Sequence, residues 1–274
     1  MIYSESMNIP GNEVGIAGSG TNYYDHMDGD VYASKINTPA RSSEYFEQFH
    51  LPIIETAHAR NLSARVTVLD IACGPAFELD FVMALDYIDA IATDISPAIL
   101  PEVQKRLGKN ALVFASDSSD SALRPNIADA GMIVNAMVYV PDKMLGAMEN
   151  ALKPGAECAV NFRDFGNPHN DAFYKYYTDR GGVILDRQFT VEADDSVNEF
   201  GVKVLEYKDC VNDDGTADKE IRKLGQQLYF ASVDDIVRFV GTCGMDMVKH
   251  DKFDFSSPVN DHNQIDVFTL QKPS

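Results

Sequence analysis

Three acids and a glycine in the first half of the chain have the types and spacing to hold a nucleoside. Asp70 closes a short apolar, β-branched run at 66–69 and leads into a turn of small residues, Ala72-Cys73-Gly74-Pro75-Ala76. A helical pattern starts at Phe77. Gly74 has no Cβ, so it can take a positive φ and let a ligand approach the backbone. Asp94 ends a second apolar run, 89–93; a carboxylate there can accept hydrogen bonds from both hydroxyls of a ribose. Asp117 follows a third run, 111–115, within Ser116-Asp117-Ser118, where an acid could meet an adenine amino group. Each piece also has a plainer reading. The turn could be an ordinary βα connection, since Ala72 and Ala76 stand where a dinucleotide fingerprint has glycines. Asp94 could be an acid at a helix N-terminus.

These groups meet only if the runs are neighbouring strands of one sheet. Continuous apolar runs of this length, the first two each followed by a helical pattern, predict buried strands of a parallel sheet with ligands outside their carboxyl ends. A fourth run, 131–134, reaches Asn135, and a fifth, 156–162, follows Lys153-Pro154-Gly155. Tyr45, Phe46, Phe49, Ile53, Ile54 and Ala57 give helical spacing over 42–61, with Ser43 as N-cap. Helices are expected over 77–85, over 97–108 with Pro97 near its start and Gly108 at its end, and over 141–152 with Pro141 in its first turn. Residues 122–128 read as loop.

The combination resembles the class I S-adenosylmethionine-dependent methyltransferases. The resemblance rests on Val68-Leu69-Asp70 with Cys73-Gly74, on Thr93-Asp94-Ile95-Ser96, on Ser116-Asp117 and on Leu152-Lys153-Pro154-Gly155, in the family's order over about 66–162. The departures are Ala72 and Ala76. The resemblance implies an α/β fold: a doubly wound, mostly parallel seven-stranded sheet of the Rossmann-like methyltransferase type, with S-adenosylmethionine as cofactor. It implies that Asp70, Ala72, Gly74, Asp94, Ile95, Asp117, Ser118 and Asn135 surround that cofactor. Tyr23-Tyr24-Asp25-His26-Met27, then Tyr32, resembles the N-terminal segment that many small-molecule methyltransferases fold over it. Tyr24 would cover the methionine part, although these tyrosines could equally pack the arm down.

The second half departs from the plain fold. Residues 202–211 alternate, Asp213-Asp214-Gly215-Thr216 makes a turn, and 221–230 alternate again, which predicts an antiparallel hairpin. Ser232 should cap a helix over 233–243 ending at Gly244, and 245–255 and 264–271 supply the last two strands. The expected organisation is an N-terminal arm or lid at 1–41 and a methyltransferase domain at 42–274, with 167–230 inserted as an antiparallel β cap over the active site. The segment Phe162-Arg163-Asp164-Phe165-Gly166 with the hairpin also resembles, locally, the tRNA 3-methylcytidine methyltransferases.

Composition narrows the partners. The 274 residues suit one α/β domain with insertions, and 45% of them are hydrophobic, enough for a sizeable core. A net charge of -19 repels phosphate backbones and anionic lipid, which opposes nucleic-acid and membrane partners. No apolar run is long enough to span a bilayer. Residues 1–20 lack a basic region followed by an apolar stretch, so no signal peptide is expected. Cys73, Cys158, Cys210 and Cys243 have no metal-ligand spacing, so no metal is expected, and reduced buried thiols suggest a cytoplasmic protein.

Methyl transfer from a sulfonium is an in-line displacement on carbon, so the protein must chiefly align the reactants and exclude water. An amine acceptor needs only to arrive unprotonated, whereas a hydroxyl needs a base. Asp164 could be that base or bind a cationic acceptor, and an ion pair with Arg163 is the competing role. Arg163, Asp164 and Tyr229 are the candidate catalytic residues, because strand five and the hairpin's return strand lead to the acceptor side. The leading expectation is a small-molecule amine or hydroxyl acceptor. The alternatives are an RNA methyltransferase and a methyltransferase-like protein without transfer activity.

Overall fold

The computed structural model describes residues 43–61, 65–97, 99–117, 123–137, 141–162, 182–184, 187–194, 202–211, 217–257 and 260–274; within 182–229 and 254–264 it describes the backbone alone. Eleven strands are present among them: β1 Val66–Ile71, β2 Ile88–Asp94, β3 Ala111–Ala115, β4 Ala128–Ile133, β5 Leu152–Phe162, β6 Gly182–Ile184, β7 Arg187–Asp194, β8 Val202–Val211, β9 Ala217–Phe230, β10 Asp246–Ser257 and β11 Asn260–Gln271. The helices are α1 Leu51–Arg60, entered through a π-helical turn Phe46–His50, α2 Phe77–Met83, α3 Leu100–Leu107, α4 Pro141–Ala151 and α5 Val233–Thr242.

Seven strands form one sheet in the order β10-β11-β5-β4-β1-β2-β3. β1 through β5 pair in parallel, and β11 is antiparallel to both β5 and β10. Strand order reverses between β1 and β4. There the connections leave in opposite directions and open a crevice at the carboxyl ends. Burial on both faces explains the apolar strands: Val66, Val68, Leu69 and Ile71 of β1 are all buried. One core lies against α4 and α5 and contains Leu145, Met148, Phe162, Phe239 and Phe268. The other lies against α1, α2 and α3 and contains Ile54, Leu79, Val103 and Phe253.

Several boundaries differ from those the sequence predicts. Ser43 is itself helical, and its hydroxyl reaches Glu47 Oε1 at 3.5 Å instead of capping. β4 begins at Ala128, inside the expected loop, because Asn126 and Ile127 donate their N–H groups to the last carbonyls of α4, Asn150 and Ala151. The Ser232 cap is present, with its Oγ accepting from Asp235 N at 3.2 Å. The inserted hairpin is half of a larger unit: β6, β7, β8 and β9 form an antiparallel four-stranded sheet. The extra strand β7 was legible. Phe189, Val191 and Ala193 alternate with Gln188, Thr190 and Glu192. The sheet returns to the core through Phe230, whose ring lies 5.4 Å from Phe162 at the end of β5.

Cys73, Cys158 and Cys243 are buried free thiols. No helix among the described residues is long and apolar enough to cross a membrane.

His50 is buried in the π-helical turn, and its Nε2 has no hydrogen-bond partner. Burial lowers its pKa from 6.5 to about 3, so the folded protein holds it neutral while the unfolded chain takes up the proton. Its contribution is therefore fully present above pH 6.5 and is lost as pH falls towards about 3. The loss approaches about 1.4 kcal/mol per pH unit in that window. His50→Phe should flatten the decline. The measurement is the urea midpoint of parent and variant at neutral and mildly acidic pH, and parallel declines would refute this account.

Candidate cofactor site

The loop between β1 and α2 has an unusual backbone. Ala72, Gly74 and Ala76, at alternate positions, have φ of 56°, 51° and 53°. Glycine adopts this left-handed region freely, whereas an alanine there costs on the order of 1 kcal/mol. The two departures from the family pattern therefore keep the glycine-like conformation, and the surrounding contacts must hold it. Cys73 N donates to Thr93 O at 2.9 Å, and Ala76 N donates to Cys73 O at 2.8 Å. Arg106 of α3 donates to Ala76 O at 3.1 Å, to Pro75 O, and to Asp80 Oδ1 at 2.7 Å. Its guanidinium also stands 5.2 Å from the Phe77 ring centre. Nothing in the sequence marks Arg106, because its partners are loop carbonyls brought together only by tertiary packing.

Asp94 links this loop to the end of β2. Its Oδ2 accepts from Gly74 N at 2.8 Å and its Oδ1 accepts from Ser96 N at 2.9 Å. Burial pushes its carboxyl upward, and the N–H groups of Ser96, Gly74 and Ile95 pull it back. Each carboxylate oxygen keeps a second lone pair, so ribose hydroxyls can still be accepted. Asp117 follows the end of β3, held near β2 by Ser116 N donating to Asp94 O at 2.9 Å.

Asp70 is the last acid of the cluster and is 2% exposed. Its Oδ1 has no hydrogen-bond partner among the described residues. Burial, and then the Glu78 and Asp94 carboxylates, raise it well above the usual carboxylate range. The Cys73 thiol is likewise raised, chiefly by burial and then by Asp70 and Asp94, so it is not a poised nucleophile.

Asn135, after β4, also has a positive φ, 59°. Its N–H donates to Asn161 Oδ1 at 2.6 Å, and Asn161 Nδ2 donates to Asn135 Oδ1 at 2.9 Å. This reciprocal pair ties the ends of β4 and β5. Asn161 is 3% exposed and was not among the site residues read from the sequence; it lies within an apolar run that gives no hint of the partner.

The fold thus brings Asp70, Ala72, Gly74, Asp94, Ile95, Asp117 and Asn135 to the carboxyl ends of adjacent strands. Tyr24, Ser118, Arg163 and Asp164 lie outside the described residues, and Tyr229 is described only as backbone in β9. A Cβ built on Gly74 would meet no described residue within 4 Å, so the space directly above the loop is open there. Among the described residues no cluster of three or more His, Cys, Asp or Glu could hold a metal ion.

A seven-stranded sheet of this order, with a left-handed small-residue loop and acids at successive strand ends, defines the class I methyltransferase architecture. Residues 69–160 match the family described as a methyltransferase domain, which supports an S-adenosylmethionine-dependent methyltransferase. Solved structures share the fold at low identity. The Burkholderia thailandensis 1,6-didemethyltoxoflavin-N1-methyltransferase, solved with 1,6-didemethyltoxoflavin and S-adenosylhomocysteine, is 14% identical with a TM-score of 0.55 over 99% of this chain and 94% of that one. The magnesium protoporphyrin IX methyltransferase of Synechocystis, with bound S-adenosylhomocysteine, is 11% identical with a TM-score of 0.54 over 92% and 98%. A methyltransferase from Methanosarcina mazei is 16% identical with a TM-score of 0.51 over 81% and 97%. No curated protein matches the chain by sequence.

Proposed function

We propose that the protein transfers the methyl group of S-adenosylmethionine to a small-molecule amine or hydroxyl rather than to RNA. The observation that carries this reading is the charge. At -19 the chain repels a polyanion and favours a neutral or cationic acceptor. Methylation of a small heterocycle by the Burkholderia thailandensis enzyme is compatible with it. In this reading Asp94 accepts from the ribose hydroxyls, Asp117 meets the adenine, and Asp70, Ala72, Gly74, Ile95, Ser118 and Asn135 line the remaining cofactor surface. Residues 1–41 close over the cofactor as a lid, with Tyr24 on its methionine part, and 167–230 cap the acceptor side of the domain at 42–274.

The bound cofactor supplies the activated methyl group. The chain's own task is to align the acceptor and exclude water. Phe162 and Phe230 touch, and Arg163 and Tyr229 are their immediate sequence neighbours. This supports drawing Arg163, Asp164 and Tyr229 to one place on the acceptor side. Asp164 takes the acceptor's proton or pairs with its positive charge, and Tyr229 offers a ring face to a cation.

The test measures transfer of labelled methyl to a panel of small amines and phenols and to bulk tRNA, with parent, Asp164→Ala and Tyr229→Ala. Both variants should bind S-adenosylhomocysteine within a few-fold of the parent and lose most turnover on the small acceptor. Undiminished turnover in both would exclude them from the acceptor site. Methylation of tRNA at physiological salt, with none of the small acceptors, would replace the small-molecule reading with the RNA one.

A further inference from the structure

We propose that the free protein stores one proton on Asp70, beside Glu78 and Asp94 beneath the cofactor loop, and that the cofactor's positive charge displaces this proton to solvent on binding. The geometry that leads here is an acid cluster with an unused oxygen. Asp70 and Glu78 are 2% and 5% exposed. Asp70 is the next-to-last residue of β1, opposite Ala92, which stands two residues before Asp94 on β2, and Glu78 lies in the first turn of α2. Asp94 uses each oxygen on a backbone N–H, but Asp70 Oδ1 is enclosed with no hydrogen-bond partner among the described residues. An ionised carboxylate left this way would be strongly unfavourable, and three ionised acids in one enclosed place more so.

Among the described residues, the charged and polar groups whose contacts around the loop are known are engaged elsewhere. Arg106 of α3 is engaged with Asp80 of α2 and with the carbonyls of Pro75 and Ala76. β4 presents Met132 in register with Asp70, and the loop itself presents the Cys73 thiol. Asp70 therefore carries the proton in the free state, consistent with the upward shift that burial, Glu78 and Asp94 impose on it.

S-adenosylmethionine has two cationic groups, the α-ammonium and the sulfonium. A cation set against the cluster favours the ionised carboxylate, so the O–H bond of Asp70 breaks and the proton passes to the buffer. The group is protonated in the free protein and less so in the complex, so binding tightens as pH rises. The limit is about tenfold per pH unit for one proton, reached between the bound and free titration ranges. The inference rests on the cofactor lying over the Ala72–Ala76 loop.

The experiment is calorimetric titration of the full chain with S-adenosylmethionine and with S-adenosylhomocysteine, each in neutral buffers of different ionisation enthalpy. The dependence of the observed heat on that enthalpy counts the protons released. The expected result is release approaching one proton with S-adenosylmethionine. Equal release with S-adenosylhomocysteine assigns the displacement to the ammonium they share, and release with the sulfonium ligand alone assigns it to the sulfonium. Asp70→Asn, which has no proton to give, should bind with release near zero. Glu78→Gln provides a second variant, in which reduced repulsion should move the pH dependence of affinity to lower pH. Binding by the parent without proton exchange, or unchanged release in Asp70→Asn, overturns the proposal while leaving the cofactor site standing. Absence of binding by a folded parent removes both.

Discussion

Gly74→Val should abolish S-adenosylhomocysteine binding, with an affinity loss above about a hundredfold, while the protein remains folded. Two features of the loop separate these effects. Gly74 has a φ of 51°, where a β-branched residue is strained by about 1–2 kcal/mol. That is a tolerable fraction of the stability of an ordinary domain. The space above the residue is open, with no described residue within 4 Å of a Cβ there, so the first carbon of the new side chain meets no protein atom. It fills the space through which a ligand reaches the loop backbone. Calorimetry with S-adenosylhomocysteine and a thermal melt of the same sample test both halves. Binding within a few-fold of the parent would show that the cofactor does not cross this loop, and an unfolded variant would show that the turn is chiefly structural.

Asp94→Ala should weaken S-adenosylhomocysteine by roughly ten- to a hundredfold, the equivalent of about 1.5–3 kcal/mol for a charged acceptor lost from the ribose. The structure adds a further expectation. Asp94 accepts from Gly74 N at 2.8 Å and from Ser96 N at 2.9 Å, so alanine also strands two loop donors and should lower the melting temperature. Asp94→Asn is not a conservative rescue. Its amide must aim an NH2 group at one of those two N–H groups, setting donor against donor. It should therefore bind nearly as weakly as the alanine variant. Full affinity in Asp94→Asn would mean that one of the two carboxylate bonds is dispensable for binding.

Much of the fold was legible before any coordinate. Five apolar runs, most of them separated by helical patterns, determine a parallel sheet because strands buried on both faces need continuous apolar sequence. Their ends determine where a ligand must lie, so Asp70, Gly74, Asp94, Asp117 and Asn135 were identifiable as a group. The cap at Ser232 and the strands β8 and β9 were legible for the same local reasons. Strand β7 carried a period-two signal as clear as theirs.

The contacts that make the loop work were decided only in three dimensions. Ala72 and Ala76 look like losses in the sequence, yet both hold the left-handed conformation of the glycines they replace. The conformation survives because Arg106 from α3 and Asp94 from β2 grip the loop across about thirty and twenty residues of chain. Asn161 closes on Asn135 from a neighbouring strand in the same way. A side chain's type limits what it can bond to, but its partner is fixed by packing. Local periodicity carries no record of which buried donor meets which acceptor. The enclosed oxygen of Asp70 is the extreme case: its residue type was visible in the sequence, and its lack of a hydrogen-bond donor among the described residues exists only in the folded chain.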